Sequence, residues 1–266
     1  MDSTLFLQKY CPLYFTDYDN YSHEISTIEQ LLLVKDINIL LWGTHSCGKT
    51  TILNSIIREY YRSIDSSVYE HNILRINNIS EQGIKYYRSS VKQFCQIRST
   101  ILHRKKIIVM DDIDFINEQS QQVFRNCIDK YSHNVHFISS CSNIQKVIES
   151  LQSRLTILRL QPLKKEDLQC VINKIKVAEN ITIEEDAEEF IINISNNTVK
   201  VLINYMEKFL LLKQPITFDL ANMLCSNISF IIFEEYTKYI IQGELKKAIK
   251  LVYDLVDKGY SVMDIL

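Results

Sequence analysis

The chain has little of what would loosen, cross-link or anchor a fold. Only 5 Gly and 3 Pro occur among its 266 residues, so long flexible linkers are not expected. Its 7 cysteines form no Cys-x-x-Cys pair, which argues against a zinc-finger site and a disulfide framework. No apolar run is long enough to cross a bilayer, and the first residues lack the basic start and apolar core of a secretion signal. We therefore expect a soluble protein without membrane association, in a reducing intracellular compartment such as the cytoplasm or the nucleus.

The overall composition is that of an ordinary globular protein. Hydrophobic residues make up 46% of the chain and charged residues 23%, which are typical values for folded domains. The length allows one or two domains with a sizeable core. The formal net charge of −2 excludes a polycation, so any nucleic acid would have to bind a local basic face or an assembly that contains the chain.

The most informative stretch is residues 43–50, which read G-T-H-S-C-G-K-T. An apolar run at 37–42 precedes it and suits a buried strand, and residues 51–60 behind it suit a helix. A glycine loop between a strand and a helix is the context that a phosphate-binding loop requires. The glycines let the backbone approach the phosphates, and N–H groups at the helix start point at anionic oxygens. A chance match in a glycine turn is the alternative, which the flanking segments disfavour.

Individual residues of this loop have expected roles. Lys49 would reach the β- and γ-phosphates, and the Thr50 hydroxyl would ligate Mg²⁺. The residues predicted to bind the nucleotide are Gly43, Thr44, His45, Ser46, Cys47, Gly48, Lys49, Thr50 and Thr51. The loop therefore predicts a site for the phosphates of a nucleotide and a magnesium ion.

A second apolar run ends in carboxylates. Residues 107–110 are Ile-Ile-Val-Met, and Asp111 and Asp112 follow, as at the carboxyl end of a central parallel strand, where open α/β sheets bind ligands. Asp111 would hold Mg²⁺ directly or through water, and Asp112 would orient or deprotonate the attacking water. Ser142 and Asn143 follow the next predicted strand, where a small polar side chain can contact the γ-phosphate or the water. Alone, the two acids would equally suit a solvated turn, and the phosphate loop favours the functional interpretation.

Five predicted strands alternate with helices over the first part of the chain, which favours a parallel, doubly wound α/β sheet. The strands are expected at 37–42, 73–76, 107–110, 135–140 and 156–160, and the helices at 24–34, 51–62, 84–102, 118–131 and 144–151. Beyond Pro162 only helical patterns follow, at 164–177, 184–194, 198–212, 220–241 and 244–258. The expected division is an α/β domain at 1–160, a small helical domain at 161–214 and a further helical segment at 215–266.

The first 20 residues are rich in Tyr, Phe and Asp. The favoured interpretation is an aromatic arm packed on the first domain. The alternative is a flap that lines an adenine pocket, with Tyr10 and Pro12 near the base.

With these elements in order, nearly the whole chain resembles the small subunits of clamp loaders of the replication factor C type, which are AAA+ ATPases. The start, F-L-Q-K-Y-C-P at 6–12, is similar to the family's W-x-E-K-Y-R-P. N-N-I-S-E-Q-G-I at 77–84 is similar to N-A-S-D-x-R-G-I. D-D-I-D at 111–114 corresponds to D-E-x-D, and S-R-L at 153–155 to S-R-C.

Two later segments extend the resemblance into the helical part. Residues 197–204 are similar to G-D-x-R-x-x-x-N, and residues 259–265 to the G-Y-S-x-x-D-I segment of the family's collar. The resemblance implies an AAA+ fold with a five-stranded parallel sheet, a small helical lid domain and, at 215–266, a shortened form of the helical collar through which such subunits assemble.

The resemblance also implies roles for single residues. Arg154 of the S-R box would reach the ATP of the neighbouring subunit, as arginine fingers do, although without the resemblance it would be interpreted as a surface residue before a strand. Ser142 stands by spacing at the family's sensor asparagine, with Asn143 one residue later. Lys200 stands where the second sensor is an arginine, so a point charge replaces a planar fork.

The function that the resemblance implies is the loading of sliding clamps. An ATP-binding and ATP-hydrolysing subunit would assemble with other clamp-loader subunits into a hetero-oligomeric ring, open the clamp and place it on primer–template DNA during replication. DNA contacts would come from basic residues on inner helices, mainly to phosphates and without sequence preference. The candidates are Arg58, Arg88 and Lys92, for which a solvated helix face is the alternative.

Two other functions stay open. Asp112 is one methylene shorter than the family's glutamate, and Ser142 and Lys200 also depart from the pattern, so one alternative is a structural subunit that binds ATP but hydrolyses it poorly. The other is a different AAA+ replication factor, such as an initiator or a helicase loader, against which the K-Y-x-P and S-R motifs argue.

A composition rich in Ile, Asn and Lys is typical of an AT-rich genome such as that of a large DNA virus. The expected location is the nucleus or a site of DNA replication, which for a viral protein is the viral replication site.

Overall fold

The computed structural model describes residues 5–18, 22–76, 87–225 and 230–257. The chain divides into two compact units. Gln8–Leu163 forms an α/β unit, and the second unit contains the helices from Lys164 onward.

A five-stranded sheet forms the centre of the first unit. Its strands are β1 (Ile39–Trp42), β2 (Ile73–Ile76), β3 (Lys106–Met110), β4 (Val135–Cys141) and β5 (Thr156–Arg159). They pair in the order β2-β3-β4-β1-β5, and every pair is parallel. The parallel α/β fold predicted from the sequence is therefore confirmed. Because β4 lies between β3 and β1, the carboxyl ends of these three strands are neighbours, where such sheets bind ligands.

The central strands are buried on both faces. All residues of β3 and β4 are buried, whereas most of the edge strand β5 is exposed. Alternate residues of a strand point to opposite faces, so Ile107 and Val109 join one apolar cluster while Ile108 and Met110 join the other. Helices on both faces explain why β3 is a continuous apolar run after Lys106 in the sequence.

The helices of the first unit surround this sheet. In chain order the helices are Ser22–Val34, Lys49–Tyr60, Ser66–Tyr69, Lys92–Gln96, Glu118–Tyr131 and Glu149–Gln152. Short 3₁₀ turns lie at Phe15–Asp17, Glu70–Asn72, Ile113–Phe115 and Ile144–Lys146, and a π-helical turn at Tyr87–Val91. The Asn117 side chain accepts a bond from the Ser120 N–H at 2.9 Å, which caps the helix that begins at Glu118.

The second unit contains the helices Lys165–Glu179, Glu185–Ile194, Val199–Leu212, Phe218–Cys225, Phe230–Ile241 and Leu245–Asp257. Its one-sided apolar stripes form a small core, as in the first helix, where Leu168, Ile172 and Ile175 are buried. Across the described ranges, none of the helices combines the length and the hydropathy that crossing a membrane requires. The separation of a lid from a collar segment near residue 215 stays a prediction.

The helix predicted at 84–102 is shorter than expected. It ends at Gln96, and residues 77–86 lie outside the described part of the chain. Asn134 Nδ2 donates to the carbonyl oxygens of Cys95 at 2.6 Å and Ile97 at 3.0 Å. A side chain from a distant loop thus takes the carbonyls that another helical turn would have used.

The prediction of a continuous helix at 144–151 is wrong. The 3₁₀ turn Ile144–Lys146 is followed by an extended Val147 and Ile148, and a new helix begins at Glu149. Gln152 Nε2 donates to the carbonyls of Ile144 at 3.1 Å and Val147 at 2.7 Å, so side-chain bonds replace helical backbone bonds. The helix predicted at 220–241 corresponds to two described helices, and the residues between them, 226–229, lie outside the described part.

Candidate nucleotide-binding site

The phosphate loop, residues 43–48, joins the end of β1 to the helix Lys49–Tyr60. A Cβ atom on Gly43 would lie 2.7 Å from the Leu160 carbonyl oxygen and 2.7 Å from Cys47 Sγ. Gly48 has φ +87°, a conformation that strains residues with a side chain. The two glycines of the motif are therefore needed for different reasons, namely close packing at Gly43 and backbone conformation at Gly48.

The helix after the loop begins without a capping side chain. Its N-cap is Gly48, and no side chain of the described residues accepts a bond there. The first N–H groups of a helix have no partner inside the helix, and the helix dipole adds partial positive charge. Thr44, His45 and Ser46 are exposed beside it. Phosphate oxygens therefore fit this end of the helix.

Lys49 is almost fully buried, with 6% of its surface exposed. Its Nζ donates to the carbonyl oxygens of Gly43 at 2.9 Å and Thr44 at 2.8 Å, and to Ser142 Oγ at 3.2 Å. A buried ammonium needs such partners because desolvation of its charge is costly. These bonds hold the positive charge over the loop and beside the end of β4, in position for a charge-assisted bond to a phosphate.

Hydrogen bonds join Thr50 to the acids that follow β3. Thr50 Oγ1 donates to Asp111 Oδ2 at 2.8 Å. Ser140 Oγ donates to the other oxygen of Asp111 and accepts a bond from the Asp112 N–H at 3.0 Å. Hydroxyl and carboxylate oxygens are the hard ligands that Mg²⁺ prefers, so Thr50 and Asp111 fit the predicted metal.

Ser140 is a site residue that no sequence motif marks. It lies on β4, whose sequence is V-H-F-I-S-S-C, between the strands that carry the loop and the acids. A polar side chain in a fully buried strand needs a hydrogen-bond partner. The presence of a serine in this buried strand was therefore the only sequence signal that pointed to Ser140. The neighbouring Ser139 has a different hydrogen-bond partner, since its Oγ donates to the Ile39 carbonyl at 3.0 Å.

Asp112 has a left-handed backbone, with φ 52°, which Asp tolerates better than most residues. Burial, and then the neighbouring charges of Asp111 and Asp114, raise the pKa of its carboxyl, while Lys49 and His45 oppose the change. A carboxylate with a raised pKa is a better proton acceptor at neutral pH. This suits the predicted role of Asp112 toward the attacking water.

The structure distinguishes the two sensor candidates by their contacts. Ser142 Oγ accepts a hydrogen bond from Lys49 Nζ. The Asn143 side chain instead accepts a bond from the Gln145 N–H at 3.0 Å and caps the following turn. The Asn143 backbone N–H donates to Asp114 Oδ2 at 3.1 Å. The geometry therefore brings Ser142 to the phosphate loop, and the sensor role itself stays a prediction.

Gln121 joins the two loops that carry these residues. Its Nε2 donates to the carbonyls of Ile116 at 2.9 Å and Lys146 at 3.0 Å, and its Oε1 accepts from the Ile148 N–H at 2.9 Å. The side chain is fully buried, so these bonds satisfy polar groups that water cannot reach. Nothing in the sequence around Gln121 marked it, because its partners lie far away along the chain.

The N-terminal arm packs on the helix after the phosphate loop. Tyr10 and Pro12 are half-buried, and the Pro12 carbonyl accepts a bond from Ser55 Oγ at 3.5 Å. The Tyr18 hydroxyl lies 2.9 Å from the same Ser55 hydroxyl. These contacts agree with the packed-arm interpretation, and a contact of Tyr10 or Pro12 with a base stays a prediction.

The predicted arginine finger, Arg154, belongs to the first unit, and the second-sensor candidate, Lys200, belongs to the second unit. Arg154 is partly exposed and is paired with Asp129 at 2.9 Å. Lys200 is exposed on the helix Val199–Leu212 of the second unit. Their roles toward a nucleotide stay predictions.

The structure describes two of the three residues predicted to bind DNA. Lys92 is exposed. Arg58 is half-buried and close enough to Tyr18 for its charge to oppose the rise in the pKa of that phenol, which burial causes. The side chain of Arg88 and the motifs at 77–84 and 259–265 lie outside the described residues.

Comparisons with known proteins identify the class. Residues 39–163 match the family of ATPases associated with various cellular activities. The fold agrees, because the RuvB Holliday junction branch migration motor of Thermotoga maritima superposes with a TM-score of 0.63 at 14% identity, over 87% of this chain and 79% of that one. The chain therefore has the α/β AAA+ fold, and its first unit is similar to this ATPase family.

Within this class the chain is related to the replication factor C small subunits. It is 27% identical to that of Methanococcus maripaludis over 98% of this chain and 82% of that protein. It is 25% identical to replication factor C small subunit 2 of Pyrobaculum islandicum over 100% of this chain and 82% of that protein. The resemblance inferred from separated motifs is confirmed by these relatives.

Proposed function

We propose that this chain is an ATP-binding and ATP-hydrolysing small subunit of a sliding-clamp loader, which opens the clamp and places it on primer–template DNA. The observation that carries the proposal is the hydrogen-bonded row at the ends of β1, β3 and β4. In that row Lys49 Nζ donates a hydrogen bond to Ser142 Oγ, and Thr50 Oγ1 donates one to Asp111 Oδ2. The relatives named as replication factor C small subunits support the particular function.

The chain's own residues would bind ATP and Mg²⁺ as follows. The loop backbone and Lys49 hold the phosphates, and Thr50 and Asp111 hold the metal ion, with Ser140 fixing the Asp111 carboxylate. Mg²⁺, when bound, neutralises charge on the phosphate oxygens. Asp112 accepts a proton from the attacking water or orients it, and Ser142 contributes a hydroxyl next to Lys49.

The site is completed by a neighbouring subunit. Arg154 of one subunit reaches the ATP of the next, where an arginine stabilises the charge of the transition state. Lys200 would supply a further positive charge from the lid. Assembly is thus part of catalysis, and the partners are the other subunits of a hetero-oligomeric ring.

Loading requires the clamp and DNA to favour the same state as ATP. ATP and DNA can be coupled only if each binds one arrangement of the ring more tightly than another. Basic residues such as Arg58, Arg88 and Lys92 would contact DNA phosphates. The protein would work inside the cell where DNA is replicated.

A specific observation also favours a second candidate, a subunit that binds ATP but hydrolyses it poorly. Asp112 is the residue proposed to act on the attacking water, and its side chain is one methylene shorter than glutamate. A displacement of about 1 Å can lower a rate on the order of 100-fold.

Single-turnover hydrolysis by the reconstituted complex separates the two candidates. If this subunit is a motor, the wild type hydrolyses ATP and Asp112→Asn lowers the rate by about 100-fold or more, because the proton acceptor is lost. ATP affinity should change little in Asp112→Asn and in Asp112→Glu. A wild-type rate equal to that of Asp112→Asn, together with a large gain in Asp112→Glu, would instead establish the structural subunit.

A further inference from the structure

Arg154 is held by three bonds from its own unit. Its Nε donates to Asp129 Oδ1 at 2.9 Å, and its Nη1 donates to the Ser150 carbonyl at 2.9 Å and to the Ser153 hydroxyl at 2.8 Å. A guanidinium carries five N–H donors in a rigid plane, and these bonds use three of them. Among the described residues, nothing bonds to Nη2. Its two N–H groups are therefore available to a group from outside this chain.

The carboxylate that holds Arg154 is also paired with a second arginine. Asp129 lies on the helix Glu118–Tyr131, and its Oδ2 is 3.3 Å from Nε of Arg125, four residues earlier on the same helix. Side chains at this spacing face each other on a helix surface. Arg125 is thus paired with Oδ2 without a hydrogen bond from its Nε, and Oδ1 is left for Arg154.

These ion pairs contribute little to the stability of the fold. The side chains of Arg154 and Asp129 are 31% and 39% exposed, and exposed ion pairs typically have weak effects on folding because water and salt screen them. Two arginines share one carboxylate, so the cluster keeps a net positive charge that attracts anions. The arrangement suits the orientation of an arginine toward an anion better than it suits stabilisation of the unit.

We propose that Asp129 is a positioning residue that fixes the Arg154 guanidinium so that its Nη2 edge faces the nucleotide of the neighbouring subunit. This inference rests on the proposed function, since it needs a neighbour whose ATP Arg154 completes. The physical basis is pre-organisation. Without Asp129, the long arginine side chain would have to lose its rotamer freedom each time it met the transition state.

The test is ATP turnover by the assembled complex with its other nucleotide sites inactivated. Arg154→Ala should lower kcat about 1,000-fold, as loss of an arginine finger does. Asp129→Ala should lower kcat about 10- to 100-fold with KM for ATP nearly unchanged, because the misplaced arginine acts mainly in the transition state. The double variant should match Arg154→Ala alone, since Asp129 acts through Arg154.

Two further variants separate positioning from a structural defect. Asp129→Asn keeps an oxygen that can accept from Nε, so it should recover part of the rate that Asp129→Ala loses. Asp65→Ala is the matched control, because it removes an exposed carboxylate bonded by the Ser66 hydroxyl, and it should leave kcat unchanged.

The outcomes that overturn the inference differ from those that overturn the function. If Arg154→Ala lowers kcat while Asp129→Ala leaves it unchanged or raises it, the positioning role is wrong and the shared site stands. Additive losses in the double variant would also show that Asp129 does not act through Arg154. If Arg154→Ala itself leaves kcat unchanged, the shared site is wrong and the positioning role is wrong with it.

Discussion

His136 lies in β4 with no exposed surface, and neither of its ring nitrogens has a hydrogen-bond partner within the described ranges. Its ring packs edge-to-face on Tyr60, with 5.4 Å between centroids. Burial, and then the charge of Lys105, lower the pKa of the imidazole to about 3. The pKa of a histidine in an unfolded chain is about 6.5, so between these two pH values the unfolded chain binds a proton that the folded protein excludes.

We therefore expect the free energy of unfolding to fall as the pH drops from about 6.5 toward 3, by on the order of 1 kcal/mol per pH unit from this residue. Above pH 6.5 the ring is neutral in both states, and the contribution vanishes. Denaturant titrations of His136→Leu should give stability at least equal to wild type at pH 7, because an unpaired polar group is removed, and a shallower loss in acid.

The matched control for this titration is His133→Gln, which replaces an exposed histidine close by on the chain. It should keep the wild-type slope. Equal acid slopes in wild type and His136→Leu would contradict the assignment of the effect to His136.

Single residues were predictable where a motif specifies them by local spacing. Lys49, Thr50 and Asp111 could be identified because a phosphate loop and an acidic strand end are contiguous patterns. The polarity of Ser140 in a buried strand indicated that it needs a partner, but its role could not be identified because it depends on β4 lying next to β3. Spacing also could not choose between the two sensor candidates, since the choice depends on how the side chain of Asn143 turns to cap the next backbone segment.

The helix Leu245–Asp257 has an apolar stripe that faces solvent. Ala248 and Leu255 are buried, and the helix packs beside Phe230–Ile241. Leu245, Ile249, Tyr253 and Val256 are 61%, 54%, 65% and 44% exposed. An exposed apolar stripe on one helix face is typical of a surface that another protein covers.

We expect this stripe to take part in assembly of the ring, as the proposed collar would. Ile249→Glu should lower incorporation of the subunit into the complex at least 10-fold, because a charge would be buried at the interface. The change should not unfold the chain, since the side chain is already exposed. Native mass spectrometry of the reconstituted mixture measures the incorporation.

Lys250→Glu is the matched control for this prediction, because the neighbouring side chain is also exposed and lies outside the stripe. It should assemble normally. Normal assembly of Ile249→Glu would show that this face is not part of an interface.

The sequence predicted whether a segment forms a helix or a strand, but it did not always predict the length of the helix. The strands β1 and β3 were found from their apolar runs, because burial of a strand on both faces favours apolar residues along its whole length. The helix predicted at 84–102 kept a helical pattern beyond its end at Gln96, because the signal that ends it comes from Asn134. Such long-range bonds have no counterpart in local periodicity.

At the scale of the whole molecule, the parallel α/β fold could be predicted because strands and helices alternate and parallel strands need crossovers. The strand order β2-β3-β4-β1-β5 could not be derived from periodicity. It depends on pairing between segments far apart in the chain. The hydrogen bonds between the phosphate loop, Asp111 and β4 also could not be derived from the sequence. They depend on the strand order, which the alternation of strands and helices along the chain does not specify.

The most direct test of the proposed function is ATP turnover by the reconstituted complex, with and without a sliding clamp and primed DNA, in wild type and Lys49→Ala. The clamp and DNA should stimulate turnover by the wild type, and Lys49→Ala should lower it at least about 100-fold, since the charge over the phosphates is removed. Lys208→Ala, which removes an exposed lysine of the second unit, should leave the stimulated rate unchanged. Stimulated turnover in Lys49→Ala equal to wild type would contradict the claim that this chain's phosphate loop drives a clamp loader.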